Sequence, residues 1–82
     1  MNELARDPRQ IGNVIRRTRR HLRLSQKALG NQTGLRQETI SLLENGNSAA
    51  KIETILAVLA GLDLELRIVP RFKGGLGPES DA

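Results

Sequence analysis

Cysteine, tryptophan and tyrosine are all absent from the 82 residues, and Phe72 and His21 are the single members of their kinds. Without cysteine no disulfide can staple the chain and no thiolate site can hold a metal. One histidine has no second imidazole with which to share an ion, so His21 reads as a surface helix residue and no metal or cofactor is expected. The core has to be aliphatic, assembled from Leu, Ile, Val and Ala. The chain also lacks a Gly-rich phosphate loop followed by Lys-Ser/Thr and any plausible nucleophile–base triad, so an enzyme is not expected. The opening MNELARDPRQ has no signal-type apolar run, and no stretch approaches the roughly 18–20 apolar residues that span a bilayer. The expectation is a soluble cytoplasmic protein with no membrane contact. A membrane-surface helix fits poorly, because the first helix lacks aromatic anchors.

Basic charge, by contrast, is plentiful and concentrated. The formal net charge is +4, yet Arg16, Arg17, Arg19, Arg20, Arg23, Lys27 and Arg36 follow one another with no acidic residue among them. Such a cluster is the electrostatic footprint of a phosphate-backbone partner, although a solvated helix face is the commoner fate of a charge run. The length suits one small domain with a thin stability margin, which oligomerisation can widen.

The stretch that resolves the ambiguity runs from Ser25 to Gly46, SQKALGNQTGLRQETISLLENG. Ser25 is a good N-cap. Ala28 and Leu29 give the first helix an apolar spot, and Gly34 stands where a left-handed stop is needed. Leu35, Ile40 and Leu43 then resume the helical period, and Gly46 closes the second helix. Helix, glycine turn, helix is a motif whose second member can enter the major groove.

These residues resemble the helix-turn-helix of phage-repressor and Cro-type regulators, the XRE family. The likeness rests on Ser25-Gln26, Gly34, Thr39-Ile40-Ser41 and the closing Glu44-Asn45-Gly46. It implies that Gln26 braces Gln37 and touches phosphate, while Gln37 reaches a base edge. Gly30 departs from the family's usual alanine. A glycine inside a helix costs about 1 kcal/mol against alanine, which predicts a soft first helix of the motif. Leu42 occupies a slot that is commonly polar, and is expected to be half-buried against a partner.

Taken in order, Asp7, Pro8 and Gln10 read as a helix start of the D-x-x-Q kind. The first helix should reach Leu22, with Ile11, Val14, Ile15, Thr18 and Leu22 on its core face. Ser25–Thr33 and Arg36–Asn45 make the motif. Near the start of its second helix, Gln37 can bond adenine bidentately, and Arg36 can read guanine or hold phosphate. Glu38 can accept from cytosine or pair with Arg36, and Ser41 can reach base or phosphate. With Arg36, Gln37, Glu38, Thr39 and Ser41, the expected DNA contacts are Arg19, Gln26, Lys27 and Asn45. Ser48 is a candidate cap for a fourth helix over about Ala50–Leu59, with Ile52, Ile55, Leu56 and Leu59 inward. Val58 and Leu62 fall outside that stripe, and Gly61 ends the helix.

The period then changes to two. Leu62, Leu64, Leu66 and Ile68 alternate with Asp63, Glu65, Arg67 and Val69 until Pro70, which predicts a strand. A lone strand needs a ladder partner, and the same strand of a second copy, antiparallel about a two-fold axis, supplies one. The alternative is an arm folded back on its own helices. Dimerisation through Leu62, Leu64, Leu66 and Ile68 would cover Val58 and Leu42. It would also space two recognition helices about 34 Å apart on a palindromic site.

The whole order, with L-x-L-E-L-x-I last, resembles HipB-type antitoxins over Pro8–Val69. The fold expected is all-α, a lambda-repressor-like DNA-binding domain of four to five helices, with one C-terminal β-strand that pairs with its dimer mate. The domain would span 1–70, with the dimerisation strand at 63–69, and 71–82 would be a flexible tail. The resemblance implies a bacterial, nucleoid-associated homodimer that represses its own operon from operator DNA. It further implies an antitoxin that restrains a HipA-type Ser/Thr kinase toxin. The rival expectation is a stand-alone XRE regulator, such as a phage or restriction-system controller, with no toxin.

Overall fold

The computed structural model describes residues 3–47 and 49–71. Within them lie four helices, α1 (Pro8–His21), α2 (Gln26–Thr33), α3 (Gln37–Glu44) and α4 (Ile52–Gly61). The expected starts of α1 and α2 are present. The Asp7 carboxylate accepts from the Gln10 amide at 2.8 Å, and Ser25 Oγ from the Ala28 amide at 2.9 Å. Helix α4 begins at Ile52, after the expected start, with Lys51 at its N-cap and no side-chain cap bond. Ser48 and the expected tail from residue 72 onward lie outside the described residues.

All four helices stop by one device. A left-handed residue stands at each end, the cap Gly34 itself in α2 (φ 74°) and the residue after the cap in the other three, Arg23 (60°), Gly46 (83°) and Asp63 (60°). The next amide reaches back across the last turn, Leu24 to the Arg19 carbonyl and Asn47 to that of Leu42 at 3.0 Å, Leu35 to Gly30 at 2.9 Å and Leu64 to Leu59 at 2.8 Å. These are Schellman-type closures. Glycine takes the left-handed position freely in α2 and α3, whereas Arg23 and Asp63 occupy it with a Cβ. Asp63, not Gly61, therefore stops α4, and Gly61 is still helical. Each turn after α1, α2 and α4 swings a leucine, Leu24, Leu35 or Leu64, back against the core.

The core consists of Ile15, Leu29, Ile40, Leu43, Val58 and Leu62, at least one from each helix or its cap. Helix α4 turns only part of its expected face inward, with Ile55 and Leu59 packed against the core. Val58 is fully buried, while Ile52 and Leu56, expected inward, are exposed. Leu62, expected at a dimer contact, is 2% exposed and closes the core of a single chain. The reason is physical: α4 is apolar around most of its circumference, so period alone does not select a face, and the Asp63 turn does. Leu22 is also exposed, as the cap of α1 rather than part of its core face.

No strand forms among the described residues; 64–71 follow no helix or ladder. Leu64 is partly buried, and then the chain departs from the core, with Leu66 half exposed and Ile68 95% exposed.

Two close approaches, one a helix crossing and one a turn, bring backbones into contact. A Cβ on Gly12 would lie 2.4 Å from the Leu43 carbonyl oxygen and 2.7 Å from that of Glu44, so α1 rests directly on the end of α3. A Cβ on Gly30 would lie 2.6 Å from the Leu35 carbonyl oxygen. Gly30 is thus a close-packing position that lets the turn fold over α2, not a soft point. Gly12→Ala should destabilise the protein by about 1–3 kcal/mol in urea denaturation, because overpacking outweighs the gain in helix propensity. A stabilised variant would show that α1 and α3 do not meet so closely.

Candidate nucleic-acid interface

Helix α3 is held at its C-terminal end by a buried carboxylate. Glu44 follows Ile40 by one helical turn and so falls on the inward face, where its side chain is 0% exposed. Arg19 of α1 meets it with two bonds, Nε to Oε2 at 2.6 Å and Nη2 to Oε1 at 3.0 Å. Gln26 Nε2 of α2 donates to Oε1 at 3.2 Å. Arg16 Nε approaches the same oxygen at 3.4 Å, and Arg16 Nη2 donates to Asn45 Oδ1 at 3.0 Å. The remaining Arg19 Nη1 donates to the Leu24 carbonyl at 2.8 Å, in the turn between α1 and α2. One carboxylate therefore joins three helices.

Burial pushes the Glu44 carboxyl up, but the bonds from Arg19 and Gln26, the charge of Arg19 and the bond from Arg16 outweigh it. The net result is a carboxyl held below its ordinary value. The hydrogen bond to Glu44 raises Arg19 in turn, against the opposing effect of its burial.

This network revises the expected site. Arg19, expected at DNA, is 9% exposed with its guanidinium bonded to Glu44 and to the Leu24 carbonyl, which gives it a structural role in the chain. Gln26 is half-buried and hydrogen-bonded to Glu44 rather than bracing Gln37. Asn45 is exposed, with its carbonyl oxygen turned toward Arg16. Glu44 and Arg16 were not anticipated as site residues. Their signal is a glutamate one turn after Ile40 and beside Leu43, facing arginines spaced i, i+3 on α1.

At the other end of α3, Arg36, Gln37 and Glu38 are exposed, and Thr39 and Ser41 are half-buried. No ion pair joins Arg36 to Glu38 among the described residues, so both side chains face solvent independently. Lys27 is exposed in the first turn of α2. The result is a short helix with a polar leading edge and a locked trailing edge. Eight residues make it about 12 Å long, the width of the major groove.

Comparison with known proteins agrees with this geometry. The helix-turn-helix family matches residues 15–69. The chain belongs to the XRE-type helix-turn-helix family. A Haemophilus influenzae protein named as an uncharacterized HTH-type transcriptional regulator is 40% identical over 53 residues, 65% of this chain and 54% of that one. The chain thus spans about half the length of that curated relative. Among solved structures, a HipB variant with a single substitution, in a complex with an O2 20mer, is similar at a TM-score of 0.78 and 25% identity, over 84% of this chain and 96% of that one. A HipA-HipB-O2-O3 complex gives 0.77 and 25%, covering 83% and 96%. The restriction-modification controller protein C.AhdI from Aeromonas hydrophila gives 0.66 and 29%, covering 72% and 86%. No described helix of the XRE-type chain is long and apolar enough to cross a membrane.

The depressed Glu44 carboxyl has a pH consequence. Its stabilisation is complete above the unfolded value of about 4.3 and is lost as pH falls through the lower folded value. Urea denaturation should therefore show wild-type stability falling steeply below about pH 4. Glu44→Gln should be weaker by about 3–5 kcal/mol at neutral pH, because it leaves Arg19 buried and uncompensated, and should fall less steeply in acid. Equal acid slopes in the two proteins would mean that Glu44 is not held as a buried anion.

Proposed function

We propose that the protein is a sequence-specific DNA-binding transcriptional repressor, working as a homodimer on a palindromic operator in the bacterial cytoplasm. The observation that carries this reading is the pairing of an exposed polar edge, Arg36, Gln37 and Glu38, with a Glu44 anchor that fixes its direction. Gln37 reads a base edge, with adenine the natural bidentate partner. Arg36, Lys27, Glu38, Thr39, Ser41 and Asn45 set the register through bases or phosphates. Gln26 acts from behind, holding α2 to the same carboxylate that holds α3.

Dimerisation follows from the exposed apolar segment after Leu64. Leu66 is half exposed and Ile68 and Val69 largely so, and no ladder forms around them among the described residues. The expected strand began at 63, but Asp63 and Leu64 are spent on the stop of α4, so antiparallel pairing of 65–69 with a second copy is what would satisfy both the ladder and the side chains. Leu42, 52% exposed on one chain, is then a further candidate for the interface.

Within this class we place the protein as the antitoxin of a type II toxin–antitoxin operon, one that represses its own promoter and neutralises a HipA-type Ser/Thr kinase. The support is likeness to HipB, which is solved both with O2 and together with HipA. A stand-alone controller without a toxin is the second reading, favoured by the likeness to C.AhdI at slightly higher identity. A kinase-like gene next to this one, whose product co-purifies with the protein and loses activity on binding it, decides for the antitoxin. A neighbouring methylase or nuclease gene decides for the controller.

Gln37→Ala should weaken binding to the protein's own promoter by about 1–3 kcal/mol and relax preference at one base position in a substitution scan. Equal loss on promoter and scrambled duplex would reassign Gln37 to the backbone. Leu66→Asp should turn dimers into monomers in analytical ultracentrifugation, and a variant that still sediments as a dimer would move the interface elsewhere.

A further inference from the structure

A polar cleft at the trailing end of α3 enters the reading so far only through Asn45. Arg9, Asn13 and Arg16 of α1 face Glu44 and Asn45 across about 300 Å3. Glu44 is the one acid in the lining, and it does not present its charge there, since its side chain is 0% exposed and its oxygens accept from Arg19, Gln26 and Arg16. Asn45 Oδ1 accepts from Arg16 at 3.0 Å, which leaves the amide N–H groups as the outward donors. Arg16 keeps a 35% exposed side chain, and Arg9 and Asn13 are exposed. The walls are fixed to each other, because a Cβ on Gly46 would lie 3.0 Å from Arg9 Cα. The cleft is therefore basic and lined by donors, the set that suits a phosphate group.

Its position specifies which phosphate. With Gln37 at the bases, a helix about 12 Å long carries its Glu44 end to the edge of a groove of similar width, where a sugar–phosphate strand runs. We propose that Arg9, Asn13, Arg16 and Asn45 clamp one backbone phosphate of the bound duplex. This inference rests on the DNA reading of α3. The clamp contributes affinity without sequence preference, and it turns the Glu44 network into a bridge between base reading and backbone anchoring. Arg16 serves both ends of that bridge, bonded to the buried carboxylate and open to the cleft.

The test is the salt dependence of binding by Arg9→Gln/Asn13→Ala, a double variant that leaves every Glu44 contact intact. Affinity for the promoter fragment and for a scrambled duplex is measured across a salt series. The log–log slope should become shallower by about 1 on both duplexes, with equal loss of affinity on each. Asn13→Asp, a single change to an exposed residue, should weaken both duplexes in the same way. Wild-type binding that is steeply salt-dependent, with an unchanged slope in the double variant, would overturn the clamp and leave the DNA reading standing. Wild-type protein that binds no duplex would overturn that reading first, and the clamp with it. Inorganic phosphate provides the remaining arm. If it raises the melting temperature of wild type but not of the double variant, while the DNA slopes agree, the cleft takes a free anion and the duplex assignment falls.

Discussion

The structure depends on a carboxylate placed where carboxylates are expensive. Moving Glu44 out of water costs several kcal/mol, and only near-complete hydrogen bonding can offset that. The fork of Arg19 matches both oxygens at once, and Gln26 and Arg16 fill further positions on Oε1. An apolar side chain of similar size could give equal stability, so stability alone does not explain the arrangement. Direction does. A leucine packs in many orientations, whereas a bidentate guanidinium–carboxylate pair is planar and has few. The Arg19–Glu44 pair ties α1 to α3, Gln26 ties α2 to the same oxygen, and the Leu24 carbonyl ties in the turn between α1 and α2. The polar edge of α3 is oriented by a contact that never touches a partner itself.

Much of this was legible in the sequence. The caps at Asp7 and Ser25, the stop at Gly34, the inward Ile15, Leu29, Ile40 and Leu43 and the order of the four helices follow from local chemistry and the 3.6-residue period. What was illegible came from two causes. Arginines on a basic helix look alike in one dimension, so Arg19 reads as one of a phosphate-facing row; only its position opposite Glu44 makes it internal. In α4 the apolar residues leave no polar face to set the rotation, and a turn beyond the helix, at Asp63, decides that Val58 and Leu62 go in and Leu56 stays out. Gly30 illustrates the same limit. Propensity counts it as a weak point, while the nearby Leu35 carbonyl makes it a point of contact.

The placement of leucine has its own consequence. A domain of this size with six buried aliphatic residues has a small core, yet Leu42, Ile52, Leu56, Leu66, Ile68 and Val69 remain outside it. Single exposed apolar residues are ordinary on a protein surface. A run that ends in unpaired backbone is different, since its amides and carbonyls invite a ladder as strongly as its side chains invite cover. Association through 65–69 would add apolar burial to a chain that has no cysteine from which to build a disulfide. Folding and dimerisation would then be linked by mass action, so that the population able to hold two recognition helices in register rises with concentration.

The two ends of α3 divide the work. Its first turn is exposed and lacks a side-chain cap at Arg36, so its polar groups are available to a ligand. Its last residue is immobilised from three sides, and the loop beyond it is closed over the first turn of α1 by Gly46. On the DNA reading proposed above, freedom at the leading edge with rigidity at the trailing edge would keep the entropy cost of binding low, because few side chains would have to order. An XRE-type helix of eight residues has little intrinsic stability in water. Here its position comes from the helices around it, and a change at Glu44 or Arg19 should reach the exposed edge of α3 through geometry.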